Sequence, residues 1–366
     1  MKRIALLITG ITLVVLLIAN FSCKKKSSSP VASSGPDSTL INIGNNIILP
    51  SYTALGNAVN AMDAAITDFN ASPDASKLAN VQTLFKTAYL AWQSASEYNG
   101  FGPAMNNQPT LAGLNLFPAT TSRIDSNVVS GNYDLKVLSN ATAKGFPAMD
   151  YLLFSAGATI ASFTTASTAA NRKQYLVAVS ADIKAEITTV VTAWSATGGN
   201  YINTFVNGAG NSISSSLGLL INSLDQDFEI LKNDKLGIPL GKQPPGTALP
   251  VLPNEVEAYY SGISAQLLLA QLKAVQGIYT AGLDNYVVKA NAKYNGGALS
   301  DTIKAHFALA VSEIQAIPDP FSATIQSNPA PADVAYAEIQ KIVVLLKTDM
   351  PSSLGVLITY GDNDGD

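Results

Sequence analysis

A single histidine in 366 residues, His306, limits the chemistry this chain can do. Zinc hydrolysis needs three protein ligands, an activated water and usually a carboxylate base, and no His-Glu-x-x-His or equivalent occurs here. Any first-row metal site would rest almost wholly on carboxylates. His306 stands among Ile303, Phe307 and Ala310 at helical spacing, the setting of a structural or surface histidine rather than a ligand. Asp150, shortly after Gly145 and Pro147, falls near the start of an apolar helix, where the dipole and free amides favour a first-turn cap. Asp225, Asp227 and Glu229 alternate within another helix. Asp225 and Glu229 share a face there and Asp227 is turned away. Stacked like charges repel unless Lys232 or a cation relieves them, so a solvated face is expected. The tail Asp362-Asn363-Asp364-Gly365-Asp366 matches the opening of a calcium loop without its bidentate glutamate. Tyr259, Tyr260, Ser261 and Ser264 offer hydroxyls to a polar pocket, but serine catalysis would have His306 as its only base candidate.

Several segments, in order along the chain, resemble the imelysin-like family. Gly145-Phe146-Pro147-Ala148-Met149-Asp150-Tyr151-Leu152-Leu153-Phe154 resembles that family's Gly-x-His-x-x-Glu followed by an apolar run, with Pro147 at the His position and Asp150 at the Glu position. Ala91-Trp92-Gln93 through Glu97 and Phe101-Gly102-Pro103 is similar to its Trp-containing helix and exit. Phe117-Pro118 with Ser122-Arg123-Ile124-Asp125, Pro239-Leu240-Gly241, and the segment from Val256 and Glu257 to Ser264 are similar to three further segments of it. A His and a Glu three residues apart share one helical face and could share a metal, whereas proline offers no donor. The resemblance implies a cleft formed by Glu97, Arg123, Asp125, Asp150 and the Tyr260, Ser261 and Ser264 segment. It also implies a role in iron or haem acquisition, with a partner in an outer-membrane uptake complex. The degenerate motif argues against a metallopeptidase; a carboxylate-based metal-dependent hydrolase, or a structural component of the uptake complex, is the alternative. The cofactor stays open: iron is the candidate from the resemblance and calcium from the tail, with Asp150, Asp362, Asp364 and Asp366 as the available ligands.

Positioning such residues takes a scaffold, and the pattern predicts an all-α one. Tyr52, Leu55, Val59, Met62, Ile66 and Phe69 recur at three- and four-residue steps. Leu78, Val81, Phe85, Ala88 and Trp92 form a second stripe, preceded by a Ser72-Pro73-Asp74 cap, and residues 175–194 form a third ending at Trp194. Helices are expected near 213–231, 261–290, 299–316 and 332–348. Residues 100–138 are expected to be irregular, and residues 197–211 to connect two antiparallel helical bundles. The division read from the sequence is a signal peptide over 1–22, a tether over 23–40, an N-terminal helical domain over 41–200 and a C-terminal bundle over 201–366.

Lys2 and Arg3, an apolar run over 4–19 and Ser22 before Cys23 read as a lipoprotein leader. Cys23 is the sole cysteine, so it has no internal disulfide partner and is expected to carry the lipid. Lys24 follows it where an inner-membrane lipoprotein commonly has aspartate, which places the protein in the outer membrane, facing either side. Formal net charge is −4, and the folded part is more acidic once Lys2, Arg3 and the tether lysines are set aside. An acidic body repels phosphate backbones, so nucleic acid is not an expected partner.

Overall fold

The computed structural model describes residues 37–106, 113–242 and 249–359. Cys23, Asp362, Asp364 and Asp366 lie outside the described residues. Helix begins at Ser38, inside the stretch expected as tether: the Asp37 carboxylate accepts from the Thr39 amide and Leu40 is buried. Among the described residues no helix is long and apolar enough to cross a membrane.

The longer helices are α1 (Leu49–Ala71), α2 (Ala75–Gln93), α3 (Thr121–Ser130), α4 (Gly145–Phe154) and α5 (Ala169–Trp194), then α6 (Ser216–Ile230), α7 (Ser264–Ile278), α8 (Leu299–Gln315) and α9 (Ala330–Val344). The apolar stripes read from the sequence are the buried faces of α1, α2 and α5, with α1 packing on both of the others. Asp74, rather than the Ser72-Pro73 pair, caps α2 by accepting from the Lys77 amide at 2.8 Å. Trp194 closes the α5 stripe at 0 % exposure, ringed by Tyr52, Phe101, Tyr201 and Phe205. Tyr201 and Phe205 belong to a short helix, Tyr201–Asn207, inside the segment expected to be a plain connection. Likewise α3 forms within the stretch expected to be irregular, ended by Gly131 at φ +65.

In the second set α7 packs on α8 and α8 on α9, while α7 also packs against α2 and so ties the sets together. Three of the helices continue beyond their α-helical ends as π turns: Leu231–Gly237 after α6, Tyr279–Leu283 after α7 and Leu345–Asp349 after α9. The one strand pair among the described residues is the hairpin Lys293–Tyr294 with Gly297–Ala298, turned by Asn295 and Gly296, both at positive φ.

Candidate functional site

α4 starts with Gly145 at φ +72, where a Cβ would lie 2.3 Å from the Leu114 carbonyl oxygen. Glycine tolerates both the angle and the approach, which lets the Phe146 amide donate to that same oxygen at 2.8 Å. The Phe146 ring is thereby laid flat on Tyr89 of α2, centroids 4.8 Å and planes 7° apart. Pro147 is buried in the first turn, and Asp150 follows in the second at 2 % exposure. Asp150 is not a first-turn cap. Its two oxygens accept the backbone amides of Tyr260, at 2.8 Å, and Ser261, at 2.9 Å. The segment offering those amides is bent by Ala258 and Gly262, at φ +52 and +63. Burial pushes the Asp150 carboxyl up to about 6, against the opposing pull of the Ser261 and Tyr260 hydrogen bonds and of Lys86.

Pro147 and Asp150, with Phe117, Thr121, Tyr259 and Tyr260, line a cavity of about 470 Å³. Asp125 approaches this region through a tyrosine: Tyr151 Oη donates to both of its oxygens at 2.9 Å, and the Tyr151 ring meets Tyr260 edge-on at 5.1 Å. Ser264 Oγ donates to the Glu257 carbonyl. Arg123 is engaged elsewhere, by Asn140 Oδ1 at 2.8 Å and Ser139 Oγ at 3.2 Å. Glu97 also stands apart, fully buried near Asp227, with neither carboxyl oxygen hydrogen-bonded. Burial, with Asp227 beside it, raises that carboxyl well above its ordinary range. Of the expected cleft residues, then, Asp150, Tyr260 and Ser261 meet, Asp125 joins through Tyr151, and Arg123 and Glu97 do not.

The acidic run on α6 is a correction. Asp225, Asp227 and Glu229 are all buried rather than solvated, because α6 packs against the 96–98 turn, α9 and the Tyr201–Asn207 helix. Cations come inward to meet them: Glu229 pairs with Lys232 at 2.7 Å and Lys347 at 3.2 Å. The π turn after α6 carries both Lys232 and Lys235 into the interior. Lys235 Nζ lies 3.0 Å from Glu257 Oε2 and 2.5 Å from Gln93 Oε1. Glu257 Oε1 in turn accepts from Gln93 Nε2 at 2.9 Å and Asn115 Nδ2 at 2.8 Å. This network flanks a second cavity, about 220 Å³, whose wall includes Trp92, Asn115, Asp227, Lys235 and Gln271. Nothing in the sequence signalled Lys235 or Gln271, and Gln93 stood out only as part of the Trp-containing segment that resembles the family. His306 Nδ1 lies 2.5 Å from Glu338 Oε1.

The motif residues by themselves do not make a metal site: the Pro147 side chain has no donor atom, which leaves Asp150 as the one side-chain ligand of the motif, already accepting an amide on each oxygen. Among the described residues no three His, Cys, Asp or Glu side chains are grouped to hold one.

Known proteins share this architecture. An imelysin-like protein from Psychrobacter arcticum 273-4 aligns at a TM-score of 0.65 and 17 % identity, covering 88 % of this chain and 96 % of its own. A protein described as an iron-regulated protein A precursor, from Parabacteroides distasonis ATCC 8503, aligns at a TM-score of 0.70 and 16 % identity, covering 89 % and 98 %. No curated protein sequence matches significantly. The imelysin family profile matches residues 48–348, well over half of the chain and including both the Asp150 clasp and the Lys235 network, and the protein therefore belongs to the imelysin family.

Proposed function

We propose that this protein is a lipid-anchored, non-catalytic imelysin-family member that binds a ligand or partner at the cell envelope in the service of iron or haem acquisition. One observation carries the reading. At the motif's acidic position, both Asp150 oxygens accept amides, of Tyr260 and Ser261, which supports reading the carboxylate as a clasp in the wall of a cavity. At about 470 Å³ that cavity falls in the size range of small-molecule sites. The iron connection draws support from the family and from the neighbour described as iron-regulated. The anchor rests on the basic start, the apolar run and Cys23. Two acyl chains or more on that cysteine would give stable attachment where one would not.

The test has two arms. Membrane fractionation of wild type and Cys23→Ser should show the protein membrane-bound in the first and released in the second; retention of a full-length Cys23→Ser chain rules out the lipid anchor. The purified chain should bind haem or a ferric chelate and leave casein intact. Chelator-sensitive cleavage abolished by Asp150→Ala would replace this reading with the hydrolase one.

A further inference from the structure

Three side chains on the wall of the 220 Å³ cavity have no partner in the fold. The Asn99 and Gln226 carboxamides and the Asp234 carboxylate are half-buried, and none of them makes a hydrogen bond or ion pair with another described residue. Ser96 Oγ on the same wall is sealed off, but no side-chain oxygen or nitrogen of these three is. They come from the turn after α2, from α6 and from the π turn that follows α6, so the fold brings together groups that the sequence keeps apart. Burial raises the Asp234 carboxyl above its ordinary value, with Lys235 opposing. Leu116, Phe117 and Ile230 supply apolar surface to the same wall, with Trp92 behind it at 4 % exposure.

The balance of donors and acceptors selects the ligand. Lys235, the amine on this wall, is already answered by Glu257 and Gln93. No free cation therefore awaits an anion there, and Asp227 and Asp234 repel one. A cation would use the oxygens and leave the N–H groups of Asn99 and Gln226 without an acceptor. A hydroxyl both donates and accepts, so neighbouring hydroxyls can give to Asp234 and exchange with both carboxamides at once.

We infer that this cavity binds a neutral polyhydroxylated ring, a monosaccharide, its hydroxyls shared among Asp234, Asn99 and Gln226 and its C–H face lying against Leu116, Phe117 and Ile230. The volume equals about seven waters of liquid, room for one six-membered ring with its substituents. A hydroxyl donating to the Asp234 carboxylate makes a charge-assisted bond, and an apolar lining with a few placed polar groups is the usual make-up of such a pocket. Phe117 borders both this cavity and the Asp150 one, but the site does not depend on the role proposed for the latter.

The experiment titrates D-glucose, D-galactose and D-mannose in turn into the purified chain, followed by the Trp92 indole chemical shift. Trp194, at 0 % exposure and not on the cavity wall, is the internal reference. Tetrahydropyran, the same ring without hydroxyls, serves as the control. Saturable binding of at least one sugar in about the millimolar range is expected for a ligand of this size, with Trp194 unmoved. Affinity for that sugar should fall by about tenfold or more in Asp234→Leu and by a smaller factor in Gln226→Leu, and tetrahydropyran should not saturate over the same range. Neither substitution removes a hydrogen bond or ion pair of the fold; if Asp234→Leu nonetheless fails to fold by circular dichroism, Gln226→Leu carries the test. Absence of saturation by all three sugars, equal shifts of the two indoles, equal binding of tetrahydropyran, or unchanged affinity in the folded variants overturns the inference and leaves a cavity filled by water.

Discussion

Asp150 on α4 and Tyr260, 110 positions later, are joined through a 2.8 Å bond from the Tyr260 amide to one carboxylate oxygen while the next amide, of Ser261, takes the other. The carboxylate thus fixes the main chain of the Ala258–Gly262 bend rather than any side chain. A backbone clasp of this kind specifies a carboxylate but is indifferent to the residues that supply the amides.

The clasp predicts a pH signature. The Asp150 carboxyl titrates at about 6 in the fold, above its ordinary 3.8. Because the folded value is raised, the native state holds more protons than the unfolded chain between these two values, and stability from this group falls as pH rises through that window. The span corresponds to about 3 kcal/mol. Asp150→Asn cannot titrate, so the stability of wild type relative to the variant should decline by roughly that amount between about pH 4 and pH 7. Urea unfolding across this range checks it, and a flat difference would show that Asp150 has an ordinary pKa.

Glu97 gives a second test with the same sign. Its buried carboxyl titrates well above its ordinary range through burial and then Asp227, so ionisation at higher pH works against the fold. Glu97→Gln removes that ionisation. The melting temperature of the variant minus that of wild type should grow as pH rises from about 5 to 8, at roughly 1–2 °C per kcal/mol for a chain of this size. A difference that shrinks with pH would mean that Glu97 is ionised and compensated.

Much of the scaffold was legible because helical burial leaves a periodic trace. The stripe from Tyr52 to Phe69 and the one ending at Trp194 are buried as their spacing required. The π turns left no such trace, and they decide where Lys232 and Lys235 go. Helical spacing up to Leu231 put Asp225 and Glu229 on a solvated face with Lys232 as the neighbour that could relieve them, and it gave Lys235 no role. The polar pairs were hidden for another reason: Gln93 meets Glu257 across 164 positions, and a single chain contains no sign of which buried acid takes which amide. Motif spacing located Asp150 but not its partners, since main-chain amides carry no residue signature.

Gly145 can be tested directly. Its φ of +72 and the 2.3 Å separation between a built Cβ and the Leu114 oxygen make Gly145→Ala both strained and obstructed. Strain of this type costs about 1–3 kcal/mol, and displacement of the Phe146 amide from Leu114 adds to it. Chemical denaturation should show a loss of about 2 kcal/mol or more, together with weaker near-ultraviolet dichroism from the disturbed Phe146–Tyr89 stack. A loss under about 0.5 kcal/mol, the scale of ordinary surface substitutions, would mean that the α4 start relaxes freely.

The Lys235–Glu257 pair allows the strongest discrimination, because both partners are nearly fully buried, at 5 % and 2 % exposure. Removing one member of such a pair strands the other in a medium of low polarity, a change that costs about 3–5 kcal/mol. Lys235→Met leaves Glu257 with neutral partners, the Gln93 and Asn115 amides among them, and Glu257→Gln leaves Lys235 with Gln93. Each single variant should therefore be strongly destabilised. In the double variant no stranded charge remains, and the side-chain carbonyl introduced by Glu257→Gln can still accept from the two amides. The double variant should recover a large part of the loss, with a coupling energy of about 1 kcal/mol or more for residues in direct contact. Additive losses would show instead that the lysine and the glutamate act through separate partners and that the 3.0 Å approach contributes little to holding the Glu257 segment and the π turn after α6 together.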